Sequence, residues 1–375
     1  MKKFLILLVM IVFVILNGCK ISYFPPSGLI YPFRPAKISS GVAHSLALMN
    51  DGTLWATGYN VFGELGTGDF TDRNVFGRVL TDVRIISGAG AHSLAIRNDE
   101  TLWVTGENQE GQLGLGDNIN RSAFVQVPGI TGVSATAAGI YHSFVLKTDG
   151  TLWVTGMNNY GQLGTGNNNS RNTFVQIMTG VSSMAGGAYF SLVLKNDGSL
   201  WSSGDNRCGE LGLGDFTNRN SFTQISGITG VASISAGNDT GIVVVNDGTL
   251  WMAGNNAQGE LVTMDLANRN LFIRVLTGVS AAVGGYQHTL ALKSDGTLWG
   301  SGGSGKGELG LGNNNPVYSF TQVSGMTNIS AVSAGGPSSL VLKSDGTFWG
   351  AGYNADGQLG LKDYINRNVF TEIYK

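Results

Sequence analysis

The chain has 375 residues, a formal net charge of −2, two cysteines and only 13% charged residues, with 57 glycines, about twice the usual glycine usage. A hydrophobic fraction of 42% builds a large core and excludes disorder, the lack of a Gly-X-Y period excludes collagen, and the lack of basic excess excludes generic nucleic-acid binding. Glycine enriched this far with apolar content intact points to many tight turns, and so to an all-β chain.

Lys2 and Lys3 precede an apolar run over residues 4–16, which ends in Leu16-Asn17-Gly18-Cys19. Such a run is short for a bilayer span and matches a signal-peptide core, over residues 1–18. The tetrapeptide resembles the bacterial lipobox, and that resemblance implies cleavage before Cys19 and diacylation of its thiol. An uncleaved anchor or an ordinary secretory signal is the alternative; in each case the mature protein works outside the cytoplasm. With Cys19 lipidated, Cys208 stands alone and no intramolecular disulfide forms. Loss of Lys2 and Lys3 leaves 21 basic and 25 acidic residues, a net of −4, which gives no help towards anionic lipid or nucleic acid. Residues 19–36 read as an extended tether, since four of the seven prolines (Pro25, Pro26, Pro32, Pro35) fall there.

Residues 37–375 are repetitive. The seven tryptophans, Trp55, Trp103, Trp153, Trp201, Trp251, Trp299 and Trp349, recur at intervals of 48 or 50 residues, a period of stacked supersecondary units. Each repeat carries two alternating apolar runs flanking an Asp-Gly pair, a strong hairpin signal. The second repeat has Asp99-Glu100 instead, so Glu100 must adopt a positive φ or the turn must change. A small-residue strand such as Val133–Ala138 precedes the hairpin, and a long loop and a strand over residues 174–177 follow it. Four strands in each of seven repeats predict a seven-bladed β-propeller, whose closure protects its sheet edges.

The runs His-Ser-Leu-Ala-Leu, Asp-Gly-Thr-Leu-Trp and Gly-Gln-Leu-Gly (residues 44–48, 51–55 and 111–114, and their equivalents) resemble the regulator of chromosome condensation repeat. The resemblance covers residues 37–375 and implies the same seven-bladed propeller.

Three recurrent positions invite a catalytic or metal reading. The second residue of Gly-Glu/Gln-Leu-Gly is Glu64, Gln112, Gln162, Glu210, Glu260, Glu308 or Gln358; an amide cannot act as a general acid or base, but both side chains share an oxygen that accepts a backbone hydrogen bond. Further on, an Asp or Asn precedes an arginine by four residues, as in Asp69 and Arg73, which reads as a loop ion pair or a carbonyl-capping arginine. The four histidines, His44, His92, His142 and His288, all lie eleven residues before a tryptophan. Residues one blade apart do not converge on a single ion, so packing and hydrogen bonding are the expected roles. No nucleophile elbow, phosphate loop or paired carboxylates occur in the sequence, so neither catalytic residues, a metal nor a cofactor is expected.

With strands A to D numbered outward from the channel, A–B turns and C–D loops share one face, and Asp-Gly turns and D–A links the other. Two extra residues lengthen alternate D–A links, as in Pro128-Gly-Ile-Thr-Gly132, which points to a duplicated two-repeat unit. The first face carries varied large residues on turns. Tyr59, Phe62, Tyr141, Tyr160, Tyr189, Asp239, Tyr286 and Tyr353 are the partner-binding candidates, since tyrosine offers wide contact at low entropic cost.

The expectation is a monomeric, lipid-anchored cell-envelope protein whose propeller face binds an extracytoplasmic protein, with no nucleic-acid partner. A carbohydrate- or cell-wall-binding module is the rival reading, and an enzyme at the channel mouth the third. Cys19→Ala should release the protein from membranes on fractionation; unchanged partitioning would refute lipid attachment.

Overall fold

The computed structural model describes residues 33–374. They form seven four-stranded antiparallel sheets, each from consecutive strands, over residues 37–80, 83–126, 133–178, 181–225, 231–276, 279–322 and 329–372. Innermost strands of successive sheets touch, and Lys37–Ser40 of blade 1 touches Ile329–Gly335 of blade 7. The ring therefore closes as a seven-bladed β-propeller, with no helix among the described residues. The expected signal peptide, Cys19 and most of the proline-rich stretch lie outside the described residues.

Hydrogen bonds explain why the hairpin signature reads as it does. The Asp51 carboxylate accepts both the amide (2.9 Å) and the hydroxyl (2.6 Å) of Thr53, and the Thr53 oxygen accepts the indole N–H of Trp55 at 3.0 Å. Aspartate, threonine and tryptophan are thus one chain of contacts pinning the turn, while Gly52 supplies its φ of 78°. Glu100 adopts a φ of 64°, at the strain that a side chain imposes there. Among the described residues a Lys or Arg covers the tryptophan ring in blades 2 to 7, as Lys147 does over Trp153 at 4.5 Å.

The cores lie between blades. One cluster joins Leu94, Ile96 and Leu102 of blade 2 to Val145 and Phe174 of blade 3. The longer D–A links of even blades insert Ile130, Ile228 and Met326 into such clusters, so the two extra residues serve packing. Because seven is odd, this alternation has no partner at the junction of blades 7 and 1. There Phe33, 3% exposed, packs on Phe76, Phe348 and Ile373 and lies edge-on to Trp55 at 5.8 Å. Among the described residues, packing thus extends four residues ahead of the first strand, into the stretch read as tether. Among the described residues no strand is exchanged across the junction: blade 1 and blade 7 each keep four consecutive strands, and contacts between whole blades close the ring.

Phe33→Ala should therefore lower the unfolding free energy by about 3 kcal/mol, as truncation of a buried aromatic does, with Phe33→Leu losing less. Urea denaturation measures both, and a loss under about 0.5 kcal/mol for the alanine variant would show that the junction holds without this ring.

Candidate functional site

The recurrent polar residues of the first face are occupied with the frame itself. In all seven blades the Glu or Gln side-chain oxygen accepts the amide two residues earlier, from Phe62 to Glu64 at 3.0 Å and from Glu110 to Gln112 at 2.9 Å, for example. Five of these arginines do both expected jobs at once, as where Arg73 pairs with Asp69 at 2.6 Å and donates to the Thr71 carbonyl at 2.9 Å. Each histidine reaches into the next blade. His44 Nε2 lies 2.9 Å from Ser93 Oγ, and the Ser93 hydroxyl donates to the Glu64 carbonyl at 2.7 Å. Since the serine proton is committed to that carbonyl, the imidazole donates from Nε2 and is neutral; burial holds His44 and His288 down at about 4 and His92 and His142 at about 3. Among the described residues no group of three or more His, Cys, Asp or Glu side chains is arranged to hold a metal ion.

One residue organising the C–D loops was not singled out from the sequence. Asn60, fully buried, accepts the Leu65 amide at 3.0 Å and donates to the Asp69 and Thr71 carbonyls. Asparagine recurs there as Asn108, Asn158, Asn206, Asn256 and Asn354, always five residues before the leucine of Gly-Glu/Gln-Leu-Gly. That fixed spacing was the available signal.

With the frame accounted for, the candidate residues separate into three places. Tyr141 and Tyr189, on the A–B turns of blades 3 and 4, stack with ring centres 5.4 Å apart and planes at 17°. Tyr160, from the C–D loop of blade 3, meets Tyr189 at 5.0 Å. The Arg207 guanidinium lies over Tyr160 at 4.9 Å and forks onto the buried Asp205 carboxylate at 2.6–2.9 Å. Asp239, on the A–B turn of blade 5, accepts from Asn238 at 2.6 Å, and burial raises its carboxyl. Burial first, then Tyr141, Tyr160 and Asp239, push the Tyr189 phenol up to about 12. Tyr141, Tyr160, Tyr189 and Asp239 thus form one patch across blades 3 to 5.

Tyr59 and Phe62, 6.2 Å apart, belong to blade 1, and Tyr353 to blade 7; burial and the Asp356 charge raise both Tyr59 and Tyr353. Tyr286 stands by itself on blade 6, half exposed. Between these groups the channel ends in a cavity of about 120 Å³ rimmed by the backbone of Gly41, Gly90, Gly139, Gly187, Gly237 and Gly285. Glycine is needed at this rim, since a Cβ on Gly187 would meet the Phe190 ring at 2.0 Å.

Glu64 provides a test of the frame reading. Burial above all pushes its carboxyl from 4.5 up to about 8, so the folded protein keeps a proton that the unfolded chain releases. Stability from this group is complete below the unfolded value and is lost as pH rises towards 8. Glu64→Gln keeps the oxygen that takes the Phe62 amide and removes the titration. The variant should match the parent at about pH 4 and exceed it by about 2–4 kcal/mol at about pH 9, read from urea midpoints; identical pH dependence in both proteins would refute this assignment.

Comparison with known proteins agrees with this geometry. An RCC1-like domain matches residues 38–275, and a regulator of chromosome condensation (RCC1) repeat matches residues 279–308. Human WBSCR16 is similar in structure at 22% identity, with a TM-score of 0.76 over 86% of this chain and 93% of its own. Prp20p from Saccharomyces cerevisiae, whose structure is described with its binding properties to Gsp1p and histones, is 20% identical, with a TM-score of 0.78 and 88% of each chain covered. Yeast RCC1 (Prp20) bound to Kap60 gives 18% identity and a TM-score of 0.77, with 97% of this chain and 91% of that one covered. No curated protein sequence matches the chain significantly. With the seven blades in place and the domain match spanning more than half of its length, the chain belongs to the RCC1-like family.

Proposed function

We propose that this protein is an extracytoplasmic, lipid-anchored binding protein whose propeller engages a protein partner through the face bearing Tyr141, Tyr160 and Tyr189. The observation that carries the reading is the contiguous tyrosine patch across blades 3 to 5, joined to Arg207. These side chains are not required by the repeat: the position of Tyr160 holds Phe62, Glu110, Cys208, Gln258, Lys306 or Asp356 in the other blades. Variable aromatic residues with one arginine, set on a rigid frame, have the composition of interface anchors. Yeast Prp20p, of the same fold, is described with Gsp1p, histones and Kap60 as its partners. The sites available for chemistry, by contrast, are tied into the frame.

The anchor reading draws on the lipobox resemblance at Cys19 and on how the chain enters the described domain. The first strand, Lys37–Ser40, runs towards the A–B turns, so the chain arrives on the opposite face.

The full chain, tagged at its C-terminus and solubilised in detergent, should retain a protein from envelope extract. The combined Tyr141→Ala, Tyr160→Ala and Tyr189→Ala variant should lose it while keeping its unfolding transition. Retention of glycan alone, or of the same proteins by both forms, would overturn the proposal.

A further inference from the structure

The propeller divides its charge unevenly. Among the described residues, the A–B turns, C–D loops and adjoining strand ends carry 15 carboxylates and nine Lys or Arg side chains, whereas the opposite face carries ten of each. The whole acidic excess of the described domain therefore lies on the tyrosine face. Five loop ion pairs and the Arg207–Asp205 pair neutralise part of that face. The face as a whole keeps six more carboxyls than cations, and an acidic excess remains with Glu64 and Glu210 protonated.

At the patch itself the arrangement shows which chemistry fits. Arg207 lies over Tyr160 and forks onto Asp205, so a guanidinium is already held there by one tyrosine and one aspartate. Next to it, Tyr189 and Asp239 occupy equivalent positions on the A–B turns of blades 4 and 5, close enough for the Asp239 charge to act on the phenol. Asp239 has neutral partners, Asn238 and Asn255, and among the described residues no Lys or Arg forms an ion pair with it. A second tyrosine–aspartate pair therefore stands beside the first without a cation of its own.

We infer that the tyrosine face receives a basic protein segment, with a partner Arg or Lys side chain set between the Tyr141–Tyr189 stack and Asp239. Charge complementarity supplies the choice of partner: an acidic, partly desolvated aromatic surface attracts cations and repels anionic lipid or nucleic acid. Arginine fits better than lysine, because its planar fork matches a carboxylate and stacks on a ring. This inference rests on the protein-partner reading above and narrows it to one chemistry.

The test uses the full chain in detergent with tetra-arginine and tetra-glutamate peptides, followed by calorimetry and tyrosine fluorescence. Tetra-arginine should bind, and more weakly as salt is raised from about 50 to 300 mM; tetra-glutamate should not. Asp239→Asn and Tyr189→Ala should each weaken tetra-arginine binding by about tenfold. Arg207→Ala should instead tighten it several-fold, by freeing Asp205 and Tyr160 for the peptide, an outcome that misfolding does not imitate. Unchanged affinity in Asp239→Asn, weaker binding in Arg207→Ala, or equal binding of tetra-glutamate would overturn the inference. If envelope extract yields a protein partner while tetra-arginine fails to bind, the basic chemistry falls and the protein-partner reading stands. If tetra-arginine binds and extract yields only glycan, the protein reading falls and takes this inference with it.

Discussion

Every blade of this propeller leans on the next one, and that dependence is the constraint behind the rest of the structure. Gly63 in the C–D loop of blade 1 sits so close to blade 2 that a Cβ would lie 2.4 Å from the Arg121 carbonyl. The Gly68 amide then donates to the Ser122 carbonyl at 2.7 Å. The same contact recurs at every junction except that of blades 5 and 6, and at the end of the ring the Lys362 amide donates to the Asn74 carbonyl at 2.9 Å. Backbone this close leaves no room for side chains, which is why the loop motif is glycine at fixed places. Since the apolar clusters also span two blades, no single repeat buries its own core, and the ring must be complete to be stable.

That economy sets where function resides. Serine, asparagine, glutamate and glutamine of the frame spend hydrogen bonds on neighbouring backbone, the histidines bond serine hydroxyls of the next blade, and burial keeps the imidazoles neutral. What is left free to vary is the set of side chains standing on the A–B turns and near the start of each C–D loop. Tyrosines, carboxylates and Arg207 gather there on blades 3 to 5, while the opposite face repeats the same aspartate, threonine (Ser199 in blade 4) and tryptophan from blade to blade. A rigid ring with one variable face places side chains for binding without further movement, which lowers the ordering cost of an interface.

Much of this was legible along the chain because the repeat states each rule seven times. The exchange of Glu and Gln marked an oxygen acceptor, and the structure shows that acceptor in every blade. Asn60 escaped notice although its spacing is as regular, since asparagine in a loop ordinarily signals only a turn. The histidine partner was harder to see. His44 pairs through Nε2 with Ser93, and where blade 4 replaces histidine with Phe190, blade 5 has Gly241 in place of the serine. The two changes lie about one repeat apart, and only the packing of blade on blade shows that they form one interaction.

The sequence alone determined the class of fold, the number of blades, the turn chemistry and the division into two faces, because these follow from local hydrogen bonding and a fixed period. Tertiary structure decided how the ring closes and which candidates act together. Phe33 lies in a proline-rich stretch without any repeat signature, yet it fills the junction left by an odd number of blades. Tyr141, Tyr160 and Tyr189 are spread over nearly fifty residues, but they meet because A–B turns and C–D loops of adjacent blades converge on one face. Their proximity depends on the curvature of the ring, a property of the assembled blades that no segment of the chain carries by itself.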